Sequence, residues 1–192
     1  MKKKILYIAA ILICLSIITS GTLAYFTTED TARNVITTGG LELQLLEMQQ
    51  LADGQLQAYP NQPIQVMPAT TVSKIVSVKN LQQTAWVRAN FSITVYDPSG
   101  EEMDIPTEEL ETVIIIAPNT KNWTEKDGWW YCKSPLKSGE TSKPLFEEVA
   151  FSGPHMDNKY QNCTVTIDVN VQAVQHANNG NTIWQAAGWP EN

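Results

Sequence analysis

The sequence predicts an all-β protein: an antiparallel β-sandwich, jelly-roll or immunoglobulin-like, with one or two short helical turns. Residues 85–95 and residues 163–173 each alternate apolar and polar side chains with a period of two. That pattern is typical of a strand with one face on a core and the other in water, as in many antiparallel sheets. About seven short strand candidates separated by turn residues favour two packed sheets.

The period of two also assigns a face to each residue of the two long strands. In the first strand the side chains expected to point inward are Val87, Ala89, Phe91, Ile93 and Val95. In the second strand they are Val165, Ile167, Val169 and Val171, with Cys163 on the same side. The polar residues between them are expected on the outer faces.

Weaker patterns predict the remaining elements. The other strand candidates are residues 41–45, 71–78, 113–117, 128–132 and 145–152, of which the apolar run 113–117 is expected to be fully buried. Residues 48–63 are polar and rich in glutamine, which predicts a loop. Short helical turns are expected after Pro106 and between Ile183 and Ala187.

The N-terminus has the three parts of a secretory signal. Lys2–Lys4 precede an apolar run, residues 5–18, and the small residues Thr22 and Ala24 fit the positions before a cleavage site. We expect cleavage between Ala24 and Tyr25, with residues 1–24 removed. The apolar run is shorter than the roughly 20 residues of a membrane-spanning helix, and an uncleaved membrane anchor is the alternative. Residues 25–192 are predicted to form a single domain with an N-terminal arm, residues 25–40.

The residues around this junction resemble the start of the camelysin/TasA family of secreted bacterial proteins. The resemblance rests on residues 23–27, Leu-Ala-Tyr-Phe-Thr, and on residues 34–43, which run from Asn34 through Gly39 and Gly40 to Leu43. Three later stretches are similar to the wider group of these proteins: Lys79-Asn80 followed by residues 85–88, residues 128–131 before residues 135–140, and residues 171–175. The resemblance implies a sandwich or jelly-roll fold and maturation by a SipW-like signal peptidase that cuts before an aromatic residue. It further implies export to the cell surface or extracellular matrix, where the best-known members form biofilm fibres.

The net charge limits the partners that the chain can have. Loss of the three lysines with residues 1–24 changes the formal charge from −7 to −10, because the segment holds no acidic residue. Nucleic acid and anionic membrane attract basic surfaces. We therefore expect no nucleic-acid partner, and no membrane partner after cleavage. Self-association requires that this charge be neutralised or screened.

Two cysteines follow the cleavage site, Cys132 and Cys163. An even pair in an exported protein favours a disulfide, which we predict here. The alternative is a pair of free, buried thiols.

The sequence carries no recognisable catalytic or metal-binding arrangement. His155 and His176 are its two histidines, and no His-Glu-x-x-His or Gly-x-Ser-x-Gly pattern is present. We therefore expect no enzymatic activity, no metal site and no cofactor, although camelysins are described as cell-surface metalloproteases. The acidic residues between Glu101 and Glu111 are either a solvated loop or a Ca²⁺ site without the usual ligand spacing.

Aromatic residues concentrate between residues 123 and 131. Trp123, Trp129 and Trp130 are either a binding platform for a sugar or a protein partner, or ordinary packing residues. Trp129 and Trp130 are adjacent, so they must point to opposite faces of a strand.

These observations favour an exported structural protein that forms or joins fibres with copies of itself or with homologous matrix subunits. The arm is the predicted assembly element, since an extended segment can add to the sheet edge of a neighbour. Its apolar anchors are Tyr25, Phe26, Val35 and Ile36. The alternatives are a surface adhesin that uses the tryptophan-rich region and, with less support, a camelysin-like metalloprotease.

Overall fold

The computed structural model describes residues 40–60 and 68–190, which lie in one compact unit, Ala32–Asn192. It is an antiparallel β-sandwich, which confirms the predicted fold class. The strands are β1 (Leu43–Gln50), β2 (Leu56–Ala58), β3 (Thr71–Asn80), β4 (Ala85–Tyr96), β5 (Ile114–Ile116), β6 (Trp123–Lys126), β7 (Trp129–Cys132), β8 (Phe146–Phe151) and β9 (Thr164–Gln175).

The strands form two sheets. The first has the order β2-β1-β3-β8-β5 and the second the order β6-β7-β4-β9. The core lies between the sheets and contains the side chains that the alternation of β4 and β9 placed inward, including Val87, Ala89, Val95, Val169 and Val171. Both strands therefore turn toward the core the face that the sequence predicts.

An α-helix, α1 (Thr107–Val113), joins β4 to β5. It begins after Pro106, as expected, and carries Glu108 and Glu109 in its first turn, where acidic side chains complement the helix dipole. Two 3₁₀ turns follow later, Asn158–Tyr160 and Ile183–Gln185. The second turn occupies the expected C-terminal position and is shorter than the predicted 183–187.

The predicted loop over residues 48–63 is wrong for its first part. β1 continues to Gln50 and pairs with β2 in a hairpin, with Gln50 opposite Leu56. The turn is stabilised by Asp53, whose Oδ1 accepts a hydrogen bond from the Gln55 N–H at 2.9 Å, and by Gly54 at φ +84°. Asp and Gly are residues that tight turns favour, since Gly adopts positive φ without steric cost.

A second hairpin joins β6 to β7. Lys126 lies opposite Trp129, which leaves the two-residue loop Asp127-Gly128. Both loop residues have positive φ, +53° and +77°, as a type I′ turn requires. The aromatic strand predicted from residue 128 therefore begins one residue later, and β6 is an additional strand.

The apolar run at residues 113–117 is less buried than predicted. Val113 ends α1, and β5 is the last strand of its sheet, paired with β8. As a result, the Ile115 side chain is 47% exposed.

Candidate functional site

Within the described part of the chain, the longest strand at the end of a sheet is β9. All twelve residues of β9 pair with β4, from Thr164 opposite Tyr96 to Gln175 opposite Ala85, without a register shift. β9 is the last strand of its sheet. At about 3.3 Å per residue, the edge is roughly 40 Å long.

The residues of β9 explain why the strand is straight and continuous. Val165, Ile167 and Val169 pack on the core, while Asp168 and Asn170 are exposed. β-branched residues on one face and short polar residues on the other suit a half-buried pleated strand. The strand contains no proline or glycine that would interrupt it.

The β9 edge lacks the devices that usually prevent edge-to-edge pairing. Proteins blunt exposed edges with lysine, proline, bulges or very short strands. β9 has no lysine or proline, and Asp168 is its one charged residue. By contrast, the other terminal strands of the two sheets, β2, β5 and β6, have only three or four residues. The β9 edge can therefore accept backbone hydrogen bonds from an added strand over several residues.

The predicted assembly arm lies outside the residues that the structure describes. This applies to the cleavage site, Ala24 and Tyr25, and to the anchors Tyr25, Phe26, Val35 and Ile36. These assignments stay predictions from the sequence.

The predicted disulfide between Cys132 and Cys163 is wrong, because both are free thiols. Cys132 lies in β7 next to Tyr131, and Tyr131 pairs with Arg88 near the start of β4. Cys163 precedes β9, whose first residue is opposite Tyr96 at the end of β4. Along β4, the rise per residue separates Arg88 from Tyr96 by roughly 27 Å. A disulfide requires Cα atoms about 4.4–6.8 Å apart.

The two thiols have different surroundings. Cys132 is buried in the core, and this burial raises the pKa of its thiol. Cys163 is partly exposed, with Sγ 3.5 Å from Met103 Sδ and 3.4 Å from the Lys159 carbonyl oxygen. Partial burial, and secondarily the nearby Asp97 carboxylate, raises the pKa of the Cys163 thiol. Raised pKa values keep both cysteines as unreactive thiols at neutral pH.

The three tryptophans proposed as a platform are packing residues. Trp123 is fully buried, and its Nε1 donates a hydrogen bond to the Lys143 carbonyl oxygen at 3.0 Å. Trp130 packs against the core, and Trp129 is 6% exposed in a second apolar cluster. Of the two alternatives that the sequence leaves open, packing therefore holds for these residues and a binding platform does not. The exposed tryptophan in the described residues is Trp184, at 52%.

The acidic segment begins with a local turn. At the end of β4, Asp97 Oδ1 accepts hydrogen bonds from the Ser99 N–H at 2.8 Å, the Ser99 hydroxyl at 2.6 Å and the Glu101 N–H at 3.0 Å. The hydrogen bond from the Ser99 hydroxyl is the main reason why the pKa of Asp97 is lowered. A pocket of about 340 Å³ lies beside this segment, between β4 and α1, and is lined by side chains such as Met103 and Leu110.

His155 lies in a loop after β8, and His176 lies directly after β9. Within residues 40–60 and 68–190, no three His, Cys, Asp or Glu side chains converge on a position that could hold a metal ion. Among the same residues, no helix is both long and apolar enough to cross a membrane.

The fold defines the class of protein as an all-β sandwich in which one sheet ends in a long strand, β9. Comparison of the chain with models of protein families, with curated proteins and with solved structures gives no match.

Proposed function

We propose that the chain is an exported structural protein of the bacterial cell surface or biofilm matrix, which forms fibres by strand donation. In this proposal residues 25–38 of the N-terminal arm of one copy add to the β9 edge of the next copy. The observation that carries the proposal is the length of that edge, twelve residues paired on one side with β4 and without a register shift.

Strand addition suits this edge for a physical reason. Main-chain hydrogen bonds supply affinity, and alternate side chains of the donor fix its register. The arm offers apolar anchors near both of its ends, Tyr25 and Phe26 at one end and Val35 and Ile36 at the other. Donor and acceptor are different surfaces of the same chain, so the contact is head to tail and produces open filaments.

The experiment is negative-stain electron microscopy of the mature chain and two altered chains. Deletion of residues 25–38 removes the donor, and Thr166→Lys with Asn170→Lys places two lysines on the outer face of β9 at the acceptor edge. We expect long fibres from the mature chain and monomers from both altered chains, because lysine at an edge strand opposes pairing.

The matched control carries Asn90→Lys and Thr94→Lys in β4. These positions are opposite Asn170 and Thr166, so the control has the same added charge on the same sheet face, one strand away from the edge. It should form fibres like the mature chain. Fibres of normal length from the arm deletion or from the β9 variant would exclude strand donation to β9.

A further inference from the structure

β7 covers only part of the neighbouring edge of β4. β4 has twelve residues and β7 has four, and the two strands pair at Arg88 and Ala89. Further along β4, the Val95 carbonyl oxygen points away from β9 and accepts a hydrogen bond from the Met103 N–H at 2.8 Å. Alternate residues of a strand turn their peptide groups to the same side, so Ile93 also turns its N–H and C=O away from β9. Among the described residues, these two groups have no hydrogen-bond partner on that side.

A pocket of about 340 Å³ lies beside this part of β4, and its apolar lining includes Ile93, Met103, Ile105 and Leu110. These side chains are half-buried and pack against the core. Met103 also contacts Cys163, whose Sγ lies 3.5 Å from the Met103 Sδ. The volume falls within the roughly 300–1,000 Å³ of small-molecule sites. The pocket therefore offers an apolar interior that suits a small ligand, next to an unpaired peptide group.

The mouth of the pocket is acidic. Glu102 and Asp104 line the pocket and are exposed, and neither carboxylate has an ion-pair partner among the described residues. Among the described residues that line the pocket, none is a lysine or an arginine. Lys159, whose carbonyl oxygen contacts Cys163, directs its ammonium group to Glu109 instead. An anion would therefore be repelled here, while a cation would meet two uncompensated carboxylates.

We propose that this pocket binds a small organic cation, a primary ammonium group on an apolar body about the size of a phenyl ring. The ammonium group lies at the mouth, where it pairs with Glu102 and Asp104. The apolar body packs against Met103 and Leu110 and removes their surface from water. A polar group beside the ammonium can bond to the Ile93 peptide group. This site uses neither the arm nor the β9 edge, so it is independent of the proposed fibre contact.

The experiment titrates the full-length chain with three probes and follows the backbone amides by nuclear magnetic resonance. Phenethylamine carries both the charge and the ring, phenethyl alcohol lacks the charge, and ethylamine lacks the ring. We expect phenethylamine to shift the amide signals of Ile93, Met103 and Leu110. It should bind roughly fivefold or more tightly than either of the other probes, because ion pairing and apolar burial each contribute to affinity.

A pair of substitutions tests the role of the carboxylates. Glu102→Gln with Asp104→Asn removes both charges at the mouth and keeps the size of the side chains. This variant should bind phenethylamine no more tightly than phenethyl alcohol. The matched control is Glu101→Gln with Glu108→Gln, which removes two charges from exposed residues of the same segment that do not line the pocket. It should bind phenethylamine almost as tightly as the unaltered chain does.

The amide signals of residues away from the pocket show whether each variant is folded, and the two single substitutions replace the pair if it is not. Three results would overturn the proposal. The first is equal affinity of the unaltered chain for phenethylamine and for phenethyl alcohol. The second is equal weakening of phenethylamine binding by the two pairs of substitutions, and the third is a set of shifted signals that lies only outside the pocket.

Discussion

At the residue scale, a small polar network joins α1 to the 3₁₀ turn that precedes β9. The Tyr160 hydroxyl donates a hydrogen bond to Glu109 Oε1 at 2.6 Å, and Lys159 Nζ forms an ion pair with the same oxygen. Burial, and then the bond to Glu109, raises the pKa of Tyr160 to about 12. The hydrogen bonds from Lys159 and then Tyr160 lower the pKa of Glu109.

The lowered pKa of Glu109 predicts a pH-dependent contribution to stability. A carboxyl group with a lower pKa in the folded state stabilises the fold above its unfolded pKa, and this contribution is lost as pH falls through the folded value. We expect Glu109→Gln to lower the urea midpoint of unfolding at pH 7. The difference from the unaltered chain should shrink as pH falls below about 4.3, the ordinary pKa of glutamate.

The matched control for this prediction is Glu108→Gln. Glu108 is exposed and also lies in the first turn of α1, so its substitution removes the same charge near the helix N-terminus without touching Tyr160. It should change the midpoint less than Glu109→Gln does. Equal effects of the two substitutions at pH 7 would mean that the network with Lys159 and Tyr160 adds no stability.

At the element scale, the hairpin between β6 and β7 depends on its two-residue turn. Gly128 has φ +77°, and a Cβ built there meets no atom within 4 Å. Gly128→Ala should therefore cost stability through backbone strain alone, roughly 1–2 kcal/mol. Chemical denaturation monitored by tryptophan fluorescence measures this, since Trp123 and Trp129 lie in the hairpin.

Gly128→Asn is the control for the turn prediction, because asparagine tolerates the left-handed region better than alanine does. It should cost less than Gly128→Ala. If the two substitutions reduce stability equally, the loss of the glycine matters for a reason other than φ.

The strands that the sequence predicted well are those whose burial follows a period of two. β4 and β9 have one face on the core along their whole length, so the alternation encodes both the strand and its inward side. β2 and β6 have three and four residues, too few for a period of two to show. Their signal is a turn instead: Asp53-Gly54 and Asp127-Gly128, a dipeptide that favours tight hairpins. Attention to that dipeptide would have found both hairpins.

The disulfide prediction failed, and the sequence left the role of the tryptophans open, for a tertiary reason. Alternation indicates the side of a strand on which a residue lies, but it gives neither the distance between strand ends nor whether a later segment covers the outer face. Arg88 was correctly placed on the outer face, and nothing local indicated that Trp189, about a hundred residues later, packs over it. The two cysteines have compatible faces and lie near opposite ends of β4.

At the scale of the whole molecule, the net negative charge opposes the strand addition that we propose at the β9 edge. The chain without residues 1–24 carries a formal charge of −10, and two like-charged copies repel when they approach. The β9 edge itself contributes one charge, Asp168. The β9 edge is therefore nearly neutral, while the approach of two whole molecules is opposed over a distance set by the Debye length.

This opposition predicts that salt accelerates the proposed fibre assembly. The Debye length falls from about 30 Å at 0.01 M to about 10 Å at 0.1 M salt, which screens repulsion between surfaces but leaves short backbone hydrogen bonds intact. We expect elongation of the mature chain, followed by light scattering, to become faster over this range. Acidification should also accelerate elongation, because protonation of carboxylates makes the net charge less negative.

The chain with Asn90→Lys and Thr94→Lys provides the matching test, since its formal charge is less negative by two while its β9 edge is unchanged. It should elongate faster than the mature chain at 0.01 M salt, and its rate should depend less on added salt. Elongation that slows as salt is added, in either chain, would mean that opposite charges attract across the contact. In that case charged side chains, and not the nearly neutral β9 edge, would dominate the approach of two copies.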